Sequence, residues 1–229
     1  MIINFTSCIS YDYDLPLLPH FINHYNKLDI DFFRIIVHSK NEINLQTLLK
    51  TFQPIKHKLD LIPWVGKFDW KQKINLLNNN TGGDYTLTAD VDEFQIWDTS
   101  LRDSIKEKEI IWGQLYDRET TNGKLAKIKK GKLEQQFPIT SFKSKWEYKD
   151  YKFKPCLYPS TYKLSDPHNL NEHHQGLDKS DTIIVNHYRW IEGRYEKSVE
   201  RINNYNNIYS TWDLENVLKL LEPKDRPLI

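Results

Sequence analysis

The chain has 229 residues, of which 39% are hydrophobic and 28% charged, with a formal net charge of +1. That length suits one domain with a substantial core, and the composition is neither that of a disordered segment nor that of a membrane protein. The balanced charge gives no general case for a nucleic-acid partner, and two cysteines, Cys8 and Cys156, make neither a disulfide scaffold nor a metal knuckle.

Ile2 to Ser7 reads as a first strand, followed by a Ser/Tyr/Asp loop. Leu17, Leu18, Phe21, Ile22, Tyr25 and Leu28 then fall at helical spacing, with Pro16 and Pro19 tolerable only near the start. Phe32 to His38 is nearly continuous in apolar residues, the pattern of a buried parallel strand. Ile43 to Phe52 gives a second helix closed by Pro54, and His57 to Trp64 a third strand. Trp70, Ile74 and Leu77 mark a third helix, stopped by the Asn78-to-Asn80 run and Gly82-Gly83. Tyr85 to Ala89 follows as a strand. This alternation predicts a parallel sheet and a nucleotide-binding half over about 1–98.

The second half, about 99–229, has a different texture. A short helix (Thr99 to Lys106) leads into a strand from Ile110 to Tyr116. Residues 120–151 are rich in Lys, Gly and Ser and read as loops. Lys152 to Tyr158 and Thr182 to His187 are strand-like, with a polar, His-rich loop between them. Tyr195 to Tyr209 and Trp212 to Leu221 read as helices, the latter ended by Pro223. No internal repeat and no second core is evident, so a single domain over 1–229 is expected. The N-terminus lacks a basic segment followed by a long apolar run, and no stretch reaches membrane-spanning length. A soluble, cytoplasmic protein without a membrane span is expected. A sequon at Asn4-Phe5-Thr6 falls in the first strand and reads as chance.

The chemistry concentrates where the fourth strand ends. Tyr85-Thr86-Leu87-Thr88-Ala89 runs into Asp90-Val91-Asp92-Glu93, three carboxylates in four residues. Inside a doubly covered sheet each would cost several kcal/mol without a partner, whereas the carboxyl edge of an open α/β sheet is where ligands bind. Asp90 and Asp92 are two apart and would point the same way in extended backbone. Two convergent oxygen ligands suit Mg²⁺ or Mn²⁺ with water and substrate phosphates completing the shell. An acidic turn after a strand has the same sequence appearance. A calcium loop of the EF-hand kind is excluded, because Gln95 and Leu101 stand where Gly and Glu are needed.

A strand followed by Asp90-Val91-Asp92-Glu93-Phe94, some ninety residues from a strand-like N-terminus, resembles the GT-A class of nucleotide-sugar glycosyltransferases. More narrowly it is similar to the family-2-like branch with bacterial and viral members. Gly113-Gln114-Leu115-Tyr116-Asp117-Arg118 with Gly123, and Asn186-His187-Tyr188-Arg189-Trp190, add to the match over about residues 1–200. The resemblance implies a GT-A-like (Rossmann-like), mostly parallel central sheet flanked by helices, with a mixed second half. It implies that Asp92 ligates the metal, that Asp90 helps hold ribose or metal, and that Glu93 supports the loop. A late histidine often joins such a shell: His187 is the first candidate and His168 the second, while His173 and His174 sit in a polar loop.

By fold analogy, Thr6 and Ser7 at the end of the first strand and Ser39 at the end of the second lie where base and ribose would bind. Lys73 either reaches the nucleotide side or lies on a solvated helix face beside Lys71. Asp117 is a candidate general base or sugar-steadying carboxylate, with Arg118 to hold it ionised or to bind a hydroxyl or phosphate. A structural Asp117–Arg118 ion pair explains the dipeptide equally well, and Glu119, Glu147 and Asp150 are rival bases.

The function these readings imply is metal-dependent transfer of a sugar from a nucleotide-sugar, a UDP-sugar first, to a hydroxyl of a glycan or glycoconjugate. For a viral member the site of action would be the host cytoplasm. Two alternatives stay open: a non-catalytic glycan- or nucleotide-binding module on the same fold, and a nucleotidyltransferase. The latter usually needs a Gly- and Lys/Arg-rich phosphate loop near the N-terminus, and residues 1–20 contain none of these.

Overall fold

The computed structural model describes residues 1–142, 153–171, 182–194 and 196–197. In chain order its elements are β1 (Ile3–Ser10), α1 (Leu18–Tyr25), β2 (Phe32–Ser39), α2 (Leu45–Thr51), a 3-10 helix (Gln53–Lys58), β3 (Leu59–Val65), α3 (Trp70–Asn79), β4 (Tyr85–Thr88) and β5 (Glu93–Ile96). There follow α4 (Leu101–Glu107), β6 (Ile111–Glu119), α5 (Leu133–Gln136), β7 (Ile139–Phe142), β8 (Phe153–Pro159), β9 (Leu164–Asp166), β10 (Asn169–Leu170) and β11 (Thr182–His187).

β1 is buried at its first seven positions, as a strand covered on both faces must be. It pairs in parallel with β2 on one side and β4 on the other, and β2 pairs in parallel with β3. The order β3-β2-β1-β4 is that of a mononucleotide-binding half. The sheet continues through β8, β6, β11 and β5, with β8 antiparallel to both β4 and β6 and β11 antiparallel to β5. The architecture is therefore α/β, parallel in its first half and mixed beyond, with helices on the sheet.

Local chemistry sets the helix starts. Asn44 accepts from the Thr47 amide, Asp69 from that of Gln72 and Ser100 from that of Asp103, each satisfying a free donor of the first turn. α1 has no such cap and instead carries a proline in its first turn. Phe5, Phe21, Tyr25 and Phe33 interlock with ring centroids 4.6–5.6 Å apart, joining α1 to β1 and β2.

Several expected boundaries move. β1 continues to Ser10 because Cys8, Ile9 and Ser10 keep pairing with Ile36, Val37 and His38, so Thr6 and Ser7 are mid-strand rather than terminal. β3 begins at Leu59, since the stretch around Pro54 folds as the 3-10 helix over the buried Ile55. β6 runs to Glu119, which puts Asp117 and Arg118 inside a strand and not after one. Within the stretch read as loops, α5 and β7 form. Of the two C-terminal helices expected from the sequence, only Glu196 and Lys197, which are helical, fall among the described residues.

The chain divides into two compact units: 1–116 with 142–187, and 117–141 with 188–229. In the first, Gly113 lies in β6 between strands β8 and β11. A Cβ built there would meet Val185 Cγ2 at 2.4 Å and Cys156 Sγ at 2.5 Å, both on fully buried residues. Gly113→Ala is therefore expected to destabilise by about 1–3 kcal/mol, as overpacking does. A calorimetric scan should show a fall of several degrees, and an unchanged melting temperature would contradict this packing. In the second unit, Phe137 packs edge-on against Tyr188 at 5.8 Å, and Ala126 bridges to Ile191.

Candidate functional site

The carboxylates after β4 do not continue the strand. The Glu93 amide donates to the Asp90 carbonyl at 2.9 Å, closing a tight turn, so the extended geometry expected for Asp90 and Asp92 is replaced. Surrounding groups hold that turn. Ser7 Oγ donates to the Ala89 carbonyl at 2.7 Å, Tyr25 Oη donates to the Glu93 carbonyl at 2.9 Å, and Gln95 Nε2 donates to the Thr88 carbonyl at 2.7 Å. Glu93 supports the turn directly: its Oε2 accepts the Asp90 amide at 2.8 Å.

The two aspartates have different partners. Asp90 receives two ammonium groups, Lys73 Nζ on Oδ1 at 2.7 Å and Lys154 Nζ on Oδ2 at 3.0 Å. Lys154 also donates to Glu93 Oε2 at 2.7 Å. Asp92 instead faces His187, with Oδ2 and Nε2 3.4 Å apart. β11 and β5 bring them together, because His187 stands opposite Glu93 in their antiparallel register. The resemblance has Asp92 ligate the metal and Asp90 help hold ribose or metal; each oxygen of Asp90 accepts a lysine ammonium.

Burial works against the charge of Asp90, Lys73 and Lys154, and the pairing outweighs it. Lys154 and Lys73 together hold the Asp90 carboxyl far below the ordinary carboxylate range. Asp90 in turn keeps Lys73 above its ordinary value, and Asp90 with Glu93 keeps Lys154 further above. Two cations thus offset Asp90 and Glu93.

Lys73 is not on a solvated helix face: it sits on α3 with its head against Asp90. Lys154 was missed by the sequence reading. Its signal was present, since a lysine in the otherwise apolar run Phe153-Lys154-Pro155-Cys156-Leu157 must find a buried partner or not be there. Asp92 and His187 fit a divalent cation of the Mn²⁺ or Mg²⁺ type, offering an oxygen and an imidazole nitrogen side by side. Among the described residues no group of three or more His, Cys, Asp or Glu forms a fuller set.

The remaining candidates are placed as follows. Thr6 Oγ1 donates to the Asn80 carbonyl at the end of α3, a packing role within the sheet. Ser39 ends β2, and its Oγ donates to Asp12 Oδ1 at 3.2 Å, in the loop that follows β1. His168 lies in the β9–β10 turn, its Nδ1 3.0 Å from the Phe153 carbonyl. In the second unit, Asp117 is buried and its Oδ2 accepts Trp190 Nε1 at 3.1 Å. Arg118 turns elsewhere, donating to the Phe137 carbonyl at 3.0 Å and to Thr140 Oγ1 at 2.6 Å. Glu119 accepts Ser141 Oγ at 3.0 Å. Glu147, Asp150, His173 and His174 lie outside the described residues.

No family model matches the chain, and no curated protein matches it. Among solved structures it is similar to TarS of S. aureus, at 16% identity over 99% of this chain and 44% of that one, with a TM-score of 0.40. It is also similar to the mannosyltransferase PcManGT from Pyrobaculum calidifontis, in complex with GDP-Man and Mn²⁺, at 11% identity, 51% and 35% coverage and a TM-score of 0.36. A UDP-glucose pyrophosphorylase complexed with UDP-glucose matches at 12% identity, 52% and 58% coverage and a TM-score of 0.34. The chain spans less than half the length of the first of these. At such scores the likenesses carry no weight for the site, which rests on its own geometry.

Proposed function

We propose that the protein is a GT-A-like, metal-dependent glycosyltransferase that takes a nucleotide-sugar, a UDP-sugar first, and passes the sugar to a hydroxyl of a glycan or glycoconjugate. The observation that carries this is the apposition of Asp92 and His187 at 3.4 Å, beyond the end of β4 in a β3-β2-β1-β4 sheet. A carboxylate and an imidazole at the carboxyl edge of such a half suit a cation that accompanies a nucleotide diphosphate. The Asp90-Val91-Asp92-Glu93-Phe94 signature agrees with it. Among the described residues, no helix is long and apolar enough to cross a membrane.

Asp92 and His187 would hold Mn²⁺ or Mg²⁺, which when bound offsets the charge of the departing diphosphate. The chain's own contribution is preorganisation. Ser7, Tyr25, Gln95 and Glu93 fix the turn before any ligand arrives, so little ordering is left for binding. Lys73 brings a cation to the nucleotide side, already ordered by Asp90. Asp117 is the proposed general base for the acceptor hydroxyl, with Trp190 fixing its carboxylate.

Turnover separates this reading from that of a binding module. Incubated with a panel of UDP-sugars and Mn²⁺ but no acceptor, the protein is expected to release UDP slowly from one donor, water replacing the acceptor. A donor that binds yet yields no UDP, even with glycan acceptors supplied, would favour the module.

A further inference from the structure

We infer that Lys154 is a positioning residue for the cation site: by holding Asp90 and Glu93 together, it fixes the turn that delivers Asp92 to His187. The inference rests on the proposed reading that Asp92 and His187 take a divalent cation. Its basis is where the strands put Lys154. β4 and β8 pair antiparallel at Tyr85–Pro159, Thr86–Tyr158 and Leu87–Leu157. Past that ladder the chain leaves β4 for the turn, and Lys154, three residues before Leu157 on β8, reaches Asp90 Oδ2 with its ammonium group. Glu93, at the other end of the turn, is the register partner of His187 in β11.

One ammonium group therefore ties both ends of the four-residue turn to β8, at 3.0 Å to Asp90 and 2.7 Å to Glu93. Lys154 is only 4% exposed and Glu93 3%. An apolar pair of similar volume would usually serve stability as well or better, so a buried ion pair here calls for a positional reason. The geometry supplies one. Asp92 lies between the two anchored residues, so pinning Asp90 and Glu93 fixes the backbone from which its carboxylate reaches His187. A cation with strict geometric demands gains from such a restraint. The competing explanation is that Lys154 only neutralises Glu93.

The test uses Mn²⁺ and UDP as probes. Mn²⁺ affinity is read from the free-ion electron paramagnetic resonance signal in the presence of UDP, and UDP affinity is read separately in EDTA. The double variant Lys154→Met/Glu93→Gln removes the buried charges together, so no orphan charge is left behind. It is expected to bind Mn²⁺ at least tenfold more weakly with UDP affinity in EDTA unchanged. Glu93→Gln alone keeps a side-chain oxygen that can accept from Lys154 and from the Asp90 amide, and it is expected to lose less Mn²⁺ affinity than the double variant. If the double variant does not fold, Lys154→Gln, which can still donate one hydrogen bond to Glu93, is expected to show the same loss. Wild-type Mn²⁺ affinity in either folded Lys154 variant overturns the inference while leaving the cation reading intact. A wild-type protein that takes up no Mn²⁺ with UDP overturns both.

Discussion

UDP at a hundred times its dissociation constant is expected to stabilise the protein by about 2.7 kcal/mol in Mn²⁺ and distinctly less in EDTA. For a chain of this length that corresponds to a melting-temperature rise of roughly 5–10 °C, well within the reach of a thermal-shift assay. Asp92→Asn should erase the difference between Mn²⁺ and EDTA. The substitution keeps the side chain's shape but removes the negative charge that faces His187. Its own fold should survive, because Ser7, Glu93 and Gln95 hold the turn through bonds that the substitution leaves in place. Asp90→Asn should behave differently. It would leave Lys73 beside a neutral group and Lys154 with Glu93 alone, so its first effect should be on stability without ligand. Equal stabilisation by UDP with and without metal in the wild type would remove the metal from the function.

The first half of this fold was legible because its signals are local. The apolar run at β2, the β-branched and aromatic residues of β1 and β4, and helical periodicity at α1 and α3 identify each element without reference to the rest of the chain. The boundaries that moved are those set by partners. Ser10 belongs to β1 only because His38 continues the ladder, and Asp117 belongs to β6 because that strand outruns its apolar stretch. β5 escaped notice since four residues opening on a carboxylate look like the end of a turn. Within the site, the motif pointed to Asp92, and the match around Asn186-His187 pointed to its imidazole. What no local pattern carries is the division of labour between the aspartates. That depends on Lys73 from α3 and Lys154 from β8, which lie 17 residues before and 64 residues after Asp90.

Asp117→Asn is expected to lower turnover by roughly a hundredfold or more, the usual scale for loss of a general base. The carboxylate is buried inside β6 and accepts Trp190 Nε1 at 3.1 Å, and an asparagine oxygen can accept the same bond. The variant should therefore fold, and a fall in rate can be read as chemistry. UDP affinity in Mn²⁺ should not change, since the proposed cation ligands are Asp92 and His187. A structural pair with Arg118 is a poorer explanation than the sequence allowed, because the Arg118 guanidinium is engaged with the Phe137 carbonyl and Thr140. If Asp117 instead steadies the donor sugar, UDP-sugar binding should weaken while UDP binding holds. If it serves only to anchor Trp190, the melting temperature should drop and activity should fall only in proportion to folded protein lost. Turnover, the two affinities and stability on this one variant separate the three roles. Normal turnover in a stable Asp117→Asn protein would pass the role of base to Glu119, Glu147 or Asp150. Of these, Glu119 should be tested first, since it lies on the same strand as Asp117 and its carboxylate already accepts the Ser141 hydroxyl from β7.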